Sequence, residues 1–356
     1  MKSKVSWQVI LILVLVFAVS FVAGYPSTQD TAVVEDDLGR TVSVPEDVER
    51  IVGLEAGTLR LITYLKATEM VVGVENFEKR DKKRPYRLAH PELAELQSIG
   101  PIHGGDSELI VSAQPEVIFW TYTTKGKAND LQNKTGIPVI GLNYGGANSV
   151  ARDDFYSALR LMGRILDKES RAEEVINFVE EEITELRERV EGPEKSGPSA
   201  FVGGIGYRGA HGVASTEPSY PPFSFLGIDN VAGELGLDHV MINEEKLLQW
   251  NPEYIFIDEA GLSLVKEDLK EPQFRGLSAI ESGNVYGLLP YNYYATNFGT
   301  VLADAYYIGK LIYPEAFSGI DPEEEADRIF EFLVGDGVYS RMERIFGGFG
   351  QLELND

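Results

Sequence analysis

The residue types able to grip a ligand gather in a few short stretches of the chain. They are Glu55-Ala56-Gly57, then Trp120 with Tyr122 and Thr123, then Asn143-Tyr144-Gly145. Further on come Tyr207-Arg208 with His211, the run Ser215 to Phe223 containing Tyr220, Asp258-Glu259, and Tyr291-Asn292-Tyr293-Tyr294-Ala295-Thr296-Asn297. Tyr and Trp present large, stiff, amphipathic faces, which suit a bulky planar or chelated ligand. Arg208 can pair with a carboxylate or an anionic chelate. Glu55 or a Tyr phenolate is a hard oxygen donor of the kind ferric iron prefers. Packing at lobe edges is the plainer role for several of these tyrosines, and alternation in Tyr291 to Tyr294 leaves two facing a cleft and two buried.

Catalytic chemistry finds less support. With no Cys in the chain, thiolate catalysis, zinc-thiolate sites, disulfides and a lipid-modified N-terminal Cys are all excluded. His90, His103, His211 and His239 show no helical ligand pair and no clustered spacing, and only His211 falls in an expected cleft loop. No metal site is assigned from them, and five scattered Met do not suggest copper. Gly203-Gly204-Ile205-Gly206 lacks the spacing of a dinucleotide or phosphate loop. Asp258 and Glu259 are adjacent and point to opposite sides, so they do not form a catalytic dyad. The chain is expected not to be an enzyme and to carry no cofactor; an extracytoplasmic enzyme working in the same cleft is the alternative from another class.

The elements that must position these stretches read as parallel α/β construction. Arg50-Ile51-Val52-Gly53-Leu54 and Val71-Val72-Gly73-Val74 are short buried strands, and Leu59, Ile62 and Leu65 share a helical face between them. Glu108 to Trp120 (ELIVSAQPEVIFW) predicts a helix, a Pro-marked turn and a strand. Glu245 to Ile257 (EKLLQWNPEYIFI) repeats that grammar 137 residues later, which indicates two lobes of related topology. Between them lies the longest helical pattern. Phe155, Leu159, Met162 and Leu166 form one apolar face, and Val175, Val179, Ile183, Leu186 and Val190 a second. The chain of 356 residues thus divides into an N-terminal lobe over residues 32–150, a helical segment over 153–191 and a C-terminal lobe over 198–345. In such lobes ligands bind beyond the carboxyl ends of the strands, where the chemistry-bearing stretches fall.

The order of these elements resembles the solute-binding proteins of iron-chelate and vitamin B12 ABC importers. The resemblance rests on the Arg50-Ile51-Val52 strand, the paired Pro-Glu-x-Ile-Phe strands, and Leu161-Met162-Gly163-Arg164-Ile165-Leu166 leading to Arg171-Ala172-Glu173-Glu174. Gly276-Leu277-Ser278-Ala279-Ile280 with Gly283-Asn284-Val285-Tyr286 adds to it, and the likeness spans about residues 32 to 345. It implies two Rossmann-like three-layer lobes joined by a single long helix, a ligand in the cleft, small closure motions, and delivery to a permease. The implied ligand is a metal chelate: a ferric siderophore or heme, with a corrinoid next and a bare metal or oxyanion as the alternative. The expected ligand contacts are Glu55, Trp120, Tyr122, Tyr144, Tyr207, Arg208, His211, Tyr220, Tyr291, Tyr293 and Tyr294. The resemblance further implies one exposed acid per lobe docking onto the ABC permease, which works with its ATPase subunits; Glu108 and Glu245 fit that role, while attraction to a helix N-terminus explains them equally. The protein is expected to act as a monomer.

Charge and the N-terminus set the compartment. Fifty-six Asp and Glu against 32 Lys and Arg leave a formal charge of -24, which repels phosphate backbones and argues against nucleic-acid partners. Lys2 and Lys4 precede an apolar stretch from Val9 to Ala23, ending in Val22-Ala23-Gly24. Residues 1–25 read as an export signal or an uncleaved membrane anchor, which places the rest outside the cytoplasm. The basic run Lys79 to Arg87 reads first as a solvated loop, and second as a rim that steers an anionic ligand.

Overall fold

A computed structural model of the chain describes residues 30–146, 152–191 and 197–354, so the apolar N-terminal segment lies outside the described residues. The chain opens with a hairpin of β1 (Thr31–Glu35) and β2 (Thr41–Pro45), paired in the register Val34↔Val42. Its turn is fixed by Asp36, whose carboxylate accepts from the Leu38 and Arg40 amides at 3.1 and 2.9 Å and pairs with the Arg40 guanidinium at 2.6 Å.

The first lobe runs β3 (Ile51–Leu54), α1 (Thr58–Tyr64), β4 (Val71–Gly73), α2 (Asn76–Arg80), α3 (Pro85–Ala89), α4 (Ser107–Ala113), β5 (Val117–Thr121), α5 (Lys125–Thr135) and β6 (Val139–Leu142). Its strands lie in the order β4-β3-β5-β6 with every pairing parallel. All residues of β5 and β6 are buried, as a sheet covered on both faces requires. Thr58 is the first residue of α1. The capping position is Gly57 in the left-handed region, and the Thr58 hydroxyl donates back to the Leu54 carbonyl at 2.5 Å.

The helical segment between the lobes consists of α6 (Arg152–Ile165) and the 21-residue α7 (Glu169–Arg189). They meet at Asp167, with φ at 54°, and the Lys168 amide closes the turn on the Gly163 carbonyl at 2.7 Å. Arg160 with Glu173 and Tyr156 with Glu180 then pair in antiparallel order, so α6 lies folded against α7. The long helix is α7 alone, because the Leu166-Asp167-Lys168 turn breaks the pattern that precedes it.

The second lobe follows as β7 (Ala200–Gly203), β8 (Ser215–Thr216), α8 (Pro221–Leu226), β9 (Val240–Met241), α9 (Glu244–Trp250), β10 (Tyr254–Asp258), α10 (Leu262–Leu269), α11 (Ser278–Glu281), β11 (Val285–Leu288), α12 (Phe298–Ile312), α13 (Pro322–Val334), α14 (Tyr339–Phe346) and β12 (Gly350–Gln351). The order β12-β11-β10-β7 is parallel except for β12, and β8 and β9 form a separate antiparallel ribbon.

The internal repeat is structural. Both α4 and α9 start at a side-chain cap, Asp106 and Asn243, and both end on a left-handed residue, Gln114 and Asn251. Beyond the Pro, Glu116 accepts from the Glu49 and Arg50 amides at 2.7 and 3.0 Å, and Glu253 accepts from the Ser199 amide at 3.0 Å. Each Glu thereby clips its strand to the strand that opens the lobe. The lobes also share a core. One apolar cluster runs from Ile51 and Phe119 through Met162 and Val179 to Val202 and Phe256. Phe155 of α6 stacks on Phe298 of α12 at 3.8 Å, and the Arg171 guanidinium bonds the carbonyls of Tyr64 and Phe332 from opposite lobes. A continuous packed core permits only small relative movement.

Candidate functional site

The carboxyl ends of β3, β5 and β6 lead into Glu55–Gly57, Thr121–Thr124 and Asn143–Gly146, and those of β7, β10 and β11 into Gly204–Val213, Asp258–Gly261 and Leu289–Asn297. These loops meet across the lobe boundary. Arg60, on α1 and almost wholly buried, donates to Thr296 O at 3.0 Å, Tyr294 O at 3.0 Å, Tyr293 O at 3.3 Å and the Tyr144 hydroxyl at 2.5 Å. Tyr293 donates to Asp81 at 2.5 Å and Tyr294 to Glu75 at 3.2 Å. Phe77 lies 4.5 Å from the Tyr294 ring. In the second lobe the Asn292 amide donates to Gly206 O at 3.1 Å, which joins the Tyr207 loop to the same wall.

Backbone strain marks this seam. Ten non-glycine residues among those described have positive φ, and five of them (Glu55, Tyr122, Arg208, Tyr294 and Ala295) sit on these loops. The left-handed region costs a side chain about 1–2 kcal/mol, so a folded chain keeps such residues where their placement matters.

Of the residues expected to touch ligand, some stand open. Tyr122 is 58% exposed and Tyr207 is 44% exposed. Arg208 is exposed with its guanidinium 5.4 Å over the Tyr207 ring, and Tyr207 stacks on His239 at 4.4 Å. His211 donates from Nε2 to Tyr207 O at 2.7 Å. Glu55, Tyr293 and Tyr294 are half-buried on the wall. The others are placed differently. Tyr144 lies beneath Arg60, at 2% exposure, because its hydroxyl serves that guanidinium and donates to Thr296 O at 2.6 Å. Tyr220 and Tyr291 are inside the second lobe, packed edge to face at 5.4 Å, with Tyr220 donating to Asp304 at 3.4 Å. Trp120 fills the first lobe under Gly104, where a Cβ would stand 2.9 Å from the ring. Trp120, Tyr144, Tyr220 and Tyr291 are thus buried, at 6% exposure or less, and their rings pack within the lobes.

Several site residues escaped the sequence reading. His103, which had no expected partner, holds the Glu55 carboxylate at 2.7 and 2.8 Å from Nδ1. Glu75 accepts from the Glu55 amide at 3.0 Å and the Gly104 amide at 3.2 Å, and burial still raises it to about 7. The basic run is not a solvated loop throughout. Arg84 and Arg87 are buried around Glu78, at 2.8 and 3.4 Å, while Lys82 and Lys83 stay exposed. Arg84 packs against Phe77, Tyr86 and Tyr294, and its Nε and Nη1 have no partner. Nothing in the sequence pointed Arg60 or Arg84 inward. Burial also raises the Tyr293 phenol to about 12 and pushes that of Tyr294 up. Free phenols here stay protonated at neutral pH, and only a bound cation would draw a phenolate from them.

Glu108 and Glu245 are both exposed at the second position of α4 and α9. Leu109 and Val111, 44% and 45% exposed, flank Glu108. The two acids therefore occupy equivalent surface positions, one per lobe.

Comparison with known proteins agrees with this architecture. The molybdate-binding protein MolA of Haemophilus influenzae is 22% identical over 320 residues, covering 84% of this chain and 90% of the relative. The putative ABC transporter substrate-binding lipoprotein YhfQ of Bacillus subtilis is 25% identical over 309 residues, covering 80% of this chain and 90% of the relative. The structure of MolA bound to molybdate superposes with a TM-score of 0.68 at 19% identity, covering 86% of this chain and 98% of that one. A periplasmic solute binding protein from Veillonella parvula gives 0.70 at 17% identity, covering 89% and 97%. The model of the periplasmic binding protein family matches residues 51–291, and the chain belongs to that family.

Proposed function

We propose that this solute-binding protein of an ABC transporter captures an anionic metal chelate, a ferric siderophore or heme, at the seam between its lobes and delivers it to the permease. The observation that carries the reading is the strained rim. Glu55, Tyr122, Arg208 and Tyr294 are each held at positive φ on loops beyond the strand ends, and each contributes an aromatic, hard-oxygen or cationic group. Tyr122 and Tyr207 are large aromatics left in solvent, where a planar ligand gains most from covering them. Residues 1–25, read as an export signal or a membrane anchor, fit the compartment this function needs, and the shared core favours slight closure.

Titration of the purified protein with ferric siderophores and heme, followed by intrinsic fluorescence, tests the ligand. Saturable quenching is expected with one chelate class, weakened about 10- to 100-fold by Tyr207→Ala or Tyr122→Ala, the range of a buried aromatic anchor. Flat responses to all chelates with a folded protein would sink this reading.

A second reading, an oxyanion in the same seam, is favoured by a specific feature. Arg84 lies beneath Tyr294 with two unpartnered buried N–H groups, and the relative MolA is named for molybdate. Molybdate binding that Arg84→Gln abolishes, with no response to chelates, would establish it instead.

Delivery is read separately. Glu108→Arg combined with Glu245→Arg should leave ligand affinity unchanged and remove stimulation of the importer ATPase by at least about tenfold, since reversing a rim charge acts on encounter and register. Unaltered stimulation would leave the two acids as helix-terminal residues.

A further inference from the structure

We infer that His211 and His239 form a binding site for a late first-row divalent cation, zinc, nickel or copper, on the β8–β9 side of the second lobe. Their rings lie 6.3 Å apart, inclined at 40°. Two imidazoles sharing a tetrahedral cation at N–metal distances of about 2.0–2.1 Å have ring centres about 5–5.5 Å apart, so the pair must close by about 1 Å, a movement the His211 loop can supply.

The hydrogen bonds decide which nitrogens are free. His211 Nε2 stands 2.7 Å from Tyr207 O, and a carbonyl only accepts, so Nε2 carries the proton and Nδ1 its lone pair. His239 Nε2 stands 2.7 Å from the Ser215 hydroxyl, which itself lies 2.7 Å from the buried Ile205 carbonyl. A hydroxyl has one hydrogen. It goes to Ile205 O, which cannot donate, so Ser215 accepts from His239 Nε2 and again Nδ1 is left with its lone pair. Metal-binding histidines are commonly oriented in this way, with the far nitrogen donating to a carbonyl or hydroxyl. Tyr207 stacked on His239 at 4.4 Å holds that ring in place.

Arg208 lies over the Tyr207 ring, at 5.4 Å from its centre. No third His, Asp or Glu completes a set among the described residues, so the remaining coordination positions belong to water or to oxygen donors of an incoming molecule. Imidazole donors favour zinc, nickel and copper over magnesium or calcium. None of this depends on which ligand the seam between the lobes takes.

The test is calorimetric titration of tag-free full chain with zinc chloride and with nickel chloride at pH 7.5. One equivalent is expected to bind, with affinity reduced at least about tenfold in His211→Ala and in His239→Ala and unchanged in His103→Ala, whose ring serves Glu55. Ser215→Ala keeps both ligands and removes the acceptor that fixes the His239 tautomer. It should weaken binding about tenfold, in the range of outer-shell partners, and shift the His239 imidazole nitrogen resonances in the metal-free protein. Circular dichroism confirms folding, and His211→Ala, a loop change, carries the test if His239→Ala fails to fold. No saturable binding of either metal, undiminished binding in His211→Ala, or loss on His103→Ala would overturn the assignment.

Discussion

Raising the pH from 5 to 8 is expected to lower the stability of the folded protein. Among the carboxyls that burial holds above their ordinary range are Glu75, Glu217 and Asp258 at about 7 and Glu259 at about 8. Unfolded, they ionise near 4.5 for Glu and 3.8 for Asp. Between those values and 7 to 8 the unfolded chain binds fewer protons than the folded one, so stability falls as pH rises through that window and levels off above it. The shift at Glu75 alone corresponds to about 3 kcal/mol at 1.36 kcal/mol per pH unit. Urea midpoints at pH 5, 6, 7 and 8 measure the trend. Glu259 offers the cleanest check. One of its oxygens accepts from the Gly348 amide at 2.6 Å, and the other is buried with no partner. Glu259→Gln keeps the bond and removes the buried charge, so it should stabilise the protein at pH 8 and change little at pH 5. A midpoint that climbs from pH 5 to 8 would show these carboxyls ionised in the folded state.

Replacing Arg60 with Ala should produce the largest loss from a single side chain. Its guanidinium serves three carbonyls of the 293–296 stretch and the Tyr144 hydroxyl, in a site with almost no solvent. Buried acceptors stripped of a donor cost about 1–3 kcal/mol each, and we expect about 3–5 kcal/mol in all. The loop it holds contains Tyr294 and Ala295 at positive φ, a conformation that relaxes once its clamp is gone. Ligand affinity should therefore fall along with stability. Arg60→Lys should recover only part of both, since a single ammonium cannot span the fork of acceptors. A loss under about 1 kcal/mol would assign the clamp instead to Asn297, whose Nδ2 bonds the carbonyls of Tyr291, Tyr293 and Ala295.

The readings that held are those carried by local pattern. Short apolar runs such as Val117–Thr121 and Val139–Leu142 are buried on both faces, and only a covered parallel sheet places strands in that way. The 137-residue echo between Pro115 and Pro252 was legible because cap, turn and clip residues recur in the same order. A single long helix between the lobes was expected from the apolar pattern, and the chain instead turns back at Asp167.

Burial of polar side chains was not legible, since it depends on what another lobe brings to the same place. Tyr144, Tyr220, Tyr291 and Trp120 belong by type to a binding surface, yet packing put them inside. Arg84 and Arg87 belong by type to a solvated run, yet Glu78 and a cage of aromatic rings drew them in. His211 and His239 stand 28 residues apart with no spacing to link them, and only the β8–β9 ribbon and the Tyr207 loop bring their rings together. The sequence by itself determined the two α/β lobes, their internal repeat and the loops where binding chemistry gathers, because hydrophobic period and turn chemistry are local. The tertiary structure alone decided which members of those loops face solvent, because that follows from contacts between residues as distant as Arg60 and Thr296.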